Sequence, residues 1–273
     1  MKLLIMTDME GVAGILNHDD WVMPEGRFYE KGMLLLTEEV NAAIEGFFNG
    51  GATEILVVDG HGAGGIDPTL LDARVALMRG VDQKVWPWGL DRSFDGLAFV
   101  GQHAKAGTPH SHITHTQWFN HIDMSLNGIS IGEYGMLALC AMELDVPTIL
   151  ACGEEALAGE ARELTPGVVS VGVKRGLLDD GLDHLDTDAY RKAKLSAVHL
   201  SPARAKEHIR SGALSAIHRL VEDPGAFRYP QLKLPYTRVV RLRSEAGRPP
   251  YTAHDTHVRS IIALMNLPYS KPA

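Results

Sequence analysis

The chain has 273 residues, of which 45% are hydrophobic and 22% charged. That balance suits a globular protein with a sizeable core and leaves room for one large domain or one domain plus a smaller one. The formal net charge of −8 argues against the basic face that a nucleic-acid partner requires, and no apolar run reaches the roughly 18 residues that would cross a membrane.

The first segment, MKLLIMTDMEG, has one lysine and a short apolar run that Asp8 and Glu10 interrupt. It lacks an A-x-A cleavage pattern, so it reads as a buried strand over residues 2–7 rather than a secretory signal. Leu36, Val40, Ala43, Ile44 and Phe47 then recur at helical spacing, predicting a helix over 29–48 that Asn49-Gly50-Gly51 stops. Residues 54–58 (EILVV) predict a second strand ending at Asp59, and 73–78 (ARVALM) and 95–100 (DGLAFV) two more, the last running into Gly101-Gln102-His103. Alternation over 121–131 around Asn127-Gly128 predicts a hairpin. Glu133 opens a helix (EYGMLALCAMEL) that stops before Pro147, followed by a strand at 148–152 and a helix at 154–164. Beyond about residue 167 the pattern loosens. It gives a strand at VVSVGVK, a long helix over about 202–221, a strand around 237–243 and a last helix near 255–266. Fully apolar strands alternating with helices predict an α/β fold, with a mainly parallel sheet flanked by helices. The expected division is a catalytic domain over 1–167 and a smaller α+β domain over 168–273.

The polar residues that punctuate these strands are the informative ones. Asp8 and Glu10 follow the first strand, His61 the second, His103 the fourth, and Glu133 stands at a helix start after the hairpin. In open α/β sheets ligands bind outside the carboxyl ends of the strands, so separated points in sequence can converge there. Singly each residue has an ordinary explanation: Asp8 as a turn former, Glu10 as a solvated carboxylate, His61 and His103 as hydrogen-bonded histidines, Glu133 as a favourable charge at a helix N-terminus. Together they form an oxygen and imidazole donor set suited to zinc. Five such ligands exceed what one catalytic ion uses, and two ions sharing a carboxylate use them more naturally. Thiolates do not enter, because Cys140 and Cys152 lie in apolar segments and read as buried core residues in a reducing, cytoplasmic setting.

The strings TDMEGVAG, VVDGHG, GQHAKAGTP and GEYG resemble, in type, order and spacing, the signatures of the D-aminopeptidase DppA family, the M55 metallopeptidases. The resemblance covers nearly all of residues 1–205 and is weaker beyond. It implies two Zn2+ ions per chain, with Asp8 bridging them, Glu10 and His61 completing one site and His103 and Glu133 the other. It also implies a catalytic histidine in the segment HSHITHTQWF, where His115 is preferred and His110 and His112 stay open. The activity implied is hydrolysis of the N-terminal peptide bond of short peptides, D-residues included, by a hydroxide bridging two metals. His115 would serve the tetrahedral intermediate or its proton. A small peptide is the expected partner, and a homo-oligomer, a decameric ring, the expected assembly.

Three other readings remain. His110, His112 and His115 could form a mononuclear zinc site of a lyase or hydratase, with the H-x-H pair on one strand face. Gly60-His61-Gly62-Ala63-Gly64-Gly65 matches a dinucleotide-binding G-x-G-x-x-G, weakly, since Asp67-Pro68 follows where a helix is needed. A non-catalytic metal-binding protein is the third. Arg241, Arg243, His254 and His257 read as surface residues.

Overall fold

The computed structural model describes residues 1–80 and 85–271. Chain order gives β1 (Lys2–Thr7), α1 (His18–Trp21), α2 (Tyr29–Asn49), β2 (Glu54–Asp59), β3 (Ala76–Met78), β4 (Gly96–Gln102), β5 (His121–Leu126), β6 (Ile129–Ser130) and α3 (Glu133–Glu143). There follow β7 (Thr148–Glu154), α4 (Glu155–Leu164), β8 (Val169–Gly176), α5 (Thr187–Arg191), β9 (Ala197–His199), α6 (Pro202–Glu222), β10 (Tyr236–Leu242), β11 (Tyr251–His257) and α7 (Ile261–Met265).

The strands form two sheets: a seven-stranded one in the order β3-β2-β1-β4-β7-β8-β9, and a four-stranded one in the order β11-β10-β5-β6. The large sheet is parallel except for β9, which runs antiparallel to β8. The apolar runs are explained by burial on both faces. In β1, Leu3 and Ile5 enter one core while Leu4 and Met6 enter the other; in β4, Ala98 and Val100 face the first and Leu97 and Phe99 the second. Helices α2 and α6 cover the first face through Leu36, Val40, Phe47, Ile209 and Ile217. Helices α3 and α4 and the small sheet cover the second through Leu137, Leu157, Met124, Val240 and Ala253. The two sheets do not divide at residue 167. β8, β9 and α6 join the large sheet and its first face, while β5 pairs with the late strand β10, which puts β6 and β11 at the two edges of the small sheet.

Several elements differ from the sequence reading. The segment 255–266 is not one helix. Residues Tyr251–His257 form β11, in antiparallel register with β10, and only Ile261–Met265 is helical. β11 buries only Ala253 outright, so it carries no apolar alternation that would mark it as a strand. The strand expected over 73–78 shrinks to Ala76–Met78, an edge strand bonded to β2 alone. The helices α1 and α5 and the strand β9 are too short to leave a periodic signal.

Helix α2 lies against α6 at a glycine. A Cβ on Gly46 would fall 2.3 Å from the Arg210 carbonyl oxygen and 2.8 Å from Ala213 Cβ. Gly46→Val should therefore push the helices apart and cost about 3 kcal/mol by overpacking. A urea midpoint unchanged from the wild type would show that the contact tolerates the bulk.

Candidate metal centre

Strand order reverses around β1. The chain passes from β1 to β2 and β3 on one side, then crosses back to β4 on the other. The crevice this opens lies beyond the carboxyl ends of β1 and β4, where Asp8 and His103 stand. The strand ends are drawn together there by main-chain bonds, Asp8 N–H to Val100 O at 3.0 Å and Gly11 N–H to Gly101 O at 2.7 Å. Side chains at these glycines would prevent it. A Cβ on Gly101 would sit 2.0 Å from Asp8 O, and one on Gly11 2.1 Å from Gln102 O.

The five candidate ligands meet at this point, all buried except Glu133, which is partly so. His61 Nδ1 lies 3.2 Å from both Asp8 Oδ1 and Glu10 Oε2. His103 Nε2 lies 3.2 Å from Asp8 Oδ2 and 3.6 Å from Glu133 Oε2. Asp8 thus offers one oxygen to each histidine. His115 stacks on His103 with ring centroids 4.0 Å apart, and its Nε2 is 3.9 Å from Glu10 Oε1 and 4.0 Å from Glu133 Oε1.

Backbone carbonyls orient all three rings. His61 Nε2 faces Val22 O at 3.2 Å, His103 Nδ1 faces Ala104 O at 2.8 Å, and His115 Nδ1 faces Ile113 O at 2.9 Å. A carbonyl can only accept, so the nitrogen that meets it carries the proton, and the other nitrogen points at the carboxylates. This is the arrangement by which metal-ligating histidines are held. Glu10 Oε2 and His103 Nε2 are buried without an aligned hydrogen bond among the described residues. Ligand atoms of Asp8, Glu10 and His103, and those of His103, His115 and Glu133, lie within 4.8 Å of one another, close enough to share an ion. The residues fit a divalent metal of the kind that takes nitrogen and oxygen donors.

The electrostatics follow from crowding. Burial and the neighbouring Glu10 push Asp8 up to about 7. Burial opposes ionisation of Glu133 as well, but His103 outweighs it and brings Glu133 down to about 2. Burial likewise works against charge on His61 and His103, yet Glu10 and Asp8 raise the first, and Glu133 and Asp8 the second, well above the usual imidazole range. Burial and the charge on His103 lower His115 to about 4, so it is neutral at neutral pH.

A supporting layer, invisible in the sequence reading, holds the loops. Gln102 donates to Asp8 Oδ2 at 2.8 Å. Glu154 accepts from Ala104 N–H and His112 N–H, each at 2.7 Å, tying the His103 loop to the histidine segment. Glu160 accepts from Lys105 N–H at 2.9 Å and Gly132 N–H at 3.3 Å, fixing the start of α3 and with it Glu133. Lys174, buried on β8, donates to the main-chain oxygen of Glu10. Burial lowers Lys174 to about 8, against the pull of Glu154 and Glu10. The one sequence signal for it was a lysine closing the apolar run VVSVGVK.

The mononuclear alternative does not assemble. His110 has φ +53° and Ile113 φ +55°, so the segment is not a strand with two imidazoles on one face. His110 is half exposed and pairs with Asp179 at 3.2 Å, whereas His112 is buried edge-on to His199. Only His115 of the three lines the centre. The glycine-rich alternative fails as well, because no helix follows Gly65 and Asp59 accepts from Gly65 N–H at 2.8 Å and Ile66 N–H at 3.1 Å. Arg243 is not a surface residue: it is buried 3.7 Å over the Tyr190 ring and donates to Phe119 O at 3.1 Å. Phe119 in turn packs on His115 at 4.5 Å between centroids.

The centre forms the floor of a cavity of about 700 Å3, of the size that small ligands occupy. Its walls include His18, Pro24, Trp86, Trp88 and Trp118.

Comparison with known proteins identifies the family of the chain. The family described as D-aminopeptidase matches residues 1–248. A D-aminopeptidase of Bacillus subtilis (strain 168) is 38% identical over 178 residues, a stretch that spans 64% of this chain and 64% of that protein's length. Among solved structures, the Zn-dependent D-aminopeptidase DppA from Bacillus subtilis, a self-compartmentalizing protease, is similar with a TM-score of 0.82 and 26% identity, over 97% of this chain and 95% of that one.

Metal binding should displace protons, since the carboxylates raise His61 and His103 well above the usual imidazole range and burial and Glu10 raise Asp8 to about 7. Apparent zinc affinity of the stripped protein should therefore rise with pH through and above 7. The raised Asp8 works the other way on folding: the native state binds its proton more tightly than the unfolded chain, so this contribution to stability is lost as pH rises from about 4 to about 7. Zinc titrations by calorimetry in buffers of different ionisation enthalpy should give different heats. Identical heats in all buffers would mean that no proton is released.

Proposed function

We propose, from the premise that this chain belongs to the D-aminopeptidase family, that it is a zinc-dependent aminopeptidase removing the N-terminal residue of short peptides, D-residues preferred. The observation that carries the reading is the convergence of Asp8, Glu10, His61, His103 and Glu133, with His115 stacked beside them on the floor of a small-ligand cavity. The zinc dependence and D-specificity named for the solved structure and the curated relative support the choice of metal and substrate.

In this proposal Asp8, Glu10, His61, His103 and Glu133 would hold two zinc ions, with Asp8 shared, Glu10 and His61 completing one site and His103 and Glu133 the other. Bound there, such a pair supplies a water of lowered pKa and polarisation of the scissile carbonyl. The remaining work belongs to the chain. His115 is neutral, and its Nδ1 donates to Ile113 O, so Nε2 presents a lone pair towards the carboxylates. It is placed to take the proton of the attacking water and return it to the leaving amine, which makes it a general base and then a general acid. Glu133 and Glu10 flank His115 Nε2 and stabilise the imidazolium while it holds that proton. Trp118 and His18, packed edge-to-face at 5.4 Å, wall the floor and keep bulk water from it.

The assembly expected is a homo-oligomeric ring, a decamer, in line with the description of the solved relative as self-compartmentalizing. Among the described residues no helix is long and apolar enough to cross a membrane. The free, buried Cys140 and Cys152 support a reducing, cytoplasmic setting.

Elemental analysis of protein purified without chelator or affinity tag should find about two zinc ions per chain. Asp8→Ala should lose most of that metal and all turnover; a metal-replete, active variant would remove Asp8 from its bridging role. His115→Ala should keep its metal while kcat falls about 10²- to 10⁴-fold. Unchanged kcat there would transfer the proton role elsewhere.

A further inference from the structure

The cavity has a positive group opposite its acidic floor. Arg79, immediately after β3, is the single lysine or arginine among the described residues that line it. Its Nη2 lies 2.8 Å from Asp59 Oδ2, and the Asp59 side chain is fully buried. Asp59 is itself fixed by the Gly65 and Ile66 N–H groups. On its other side the guanidinium rests on Gly64, where a Cβ would fall 2.0 Å from Nη2. Tyr29 holds that glycine in place through a hydrogen bond from its hydroxyl to Gly64 O. Arg79 is thus seated by a buried carboxylate and a side-chain-free stretch of backbone, with 38% of its side chain still open. The loop that seats it, Gly60 to Gly65, also carries His61, so one loop sets both the metal centre and the cation.

A cavity of about 700 Å3 admits only a short peptide, and such a peptide brings its own C-terminal carboxylate inside with the scissile bond. In the proposed metal-loaded state Asp8, Glu10 and Glu133 are taken up by the zinc ions and Asp59 is buried against Arg79, so none of them can pair with that carboxylate. A buried carboxylate is tolerated only when paired, and a guanidinium fork matches it in shape and charge. Resting on the aminopeptidase reading, we propose that Arg79 anchors the free C-terminal carboxylate of the substrate, which makes the protein selective for short peptides with an unblocked C-terminus.

The test compares D-alanyl-glycine with D-alanyl-glycinamide on the zinc-loaded enzyme. The free acid should have a KM lower by about 10- to 100-fold, the worth of a charge-assisted hydrogen bond. Arg79→Gln should raise the acid's KM to that of the amide, leave the amide's KM and the metal content unchanged, and move kcat little; Arg79→Lys should recover part of the difference. Equal KM values for acid and amide in the wild type would overturn the anchor without need of any variant, as would an Arg79→Gln effect of the same size on both. Should neither compound be cleaved, the aminopeptidase reading fails, and quenching of the cavity tryptophans Trp86, Trp88 and Trp118 still decides the anchor. Tighter binding of the acid than of the amide sustains it, and equal binding ends it.

Discussion

Gathering Asp8, Glu10 and Glu133 in one buried spot is the constraint on which the rest of this architecture turns. Like charges taken out of water and placed within a few ångströms of each other repel strongly and lose their hydration. The chain answers in two layers. Imidazoles of His61 and His103 stand directly between the carboxylates. Behind them Lys174 donates to the main-chain oxygen of Glu10, and the buried carboxyls of Glu154 and Glu160 accept from main-chain N–H groups of the loops that carry the ligands. A cluster like this is poor for the stability of an empty protein and good for holding cations.

The topology supplies the place where such a cluster can be made. Only at the reversal between β1 and β4 do two adjacent parallel strands send their following loops apart, leaving a crevice floored by backbone. Two glycines let β1 and β4 close to main-chain contact there. Asp8 is therefore fixed by the sheet and Glu133 by the first turn of α3, on rigid elements rather than mobile loops. The three histidines sit on loops but are steered by carbonyls of the adjoining backbone.

The central strands and the five ligand candidates were legible because burial on both faces makes a strand uniformly apolar, so a charged residue at its end stands out. Asp8 after KLLIMT, His61 after EILVVD and His103 after GLAFVGQ all carry that signal. His115 was legible only through the family resemblance; its segment has no periodicity, and only its backbone shows why it, and not His110 or His112, reaches the floor. Lys174, Glu154 and Glu160 went unread because their partners are main-chain atoms distant in sequence, which leave no pattern. β11 went unread because a polar strand with one buried side chain looks like any exposed segment. Arg243 looked like surface for the same reason: a long cation says nothing about the aromatic ring and carbonyls that bury it.

The small sheet joins early and late parts of the chain, since β5, which leads through β6 into Glu133, pairs with β10, and Tyr269 bonds to Gln117 and lies 3.1 Å from His121 Nε2. On the ribosome, then, a nascent chain that has exposed every ligand residue still lacks the strands that hold Glu133 and the histidine segment in place. Lys174 follows Glu133 by about forty residues, and β10 and β11 follow it by about a hundred or more. The supports of the centre are therefore complete only once β10 and β11 have been made.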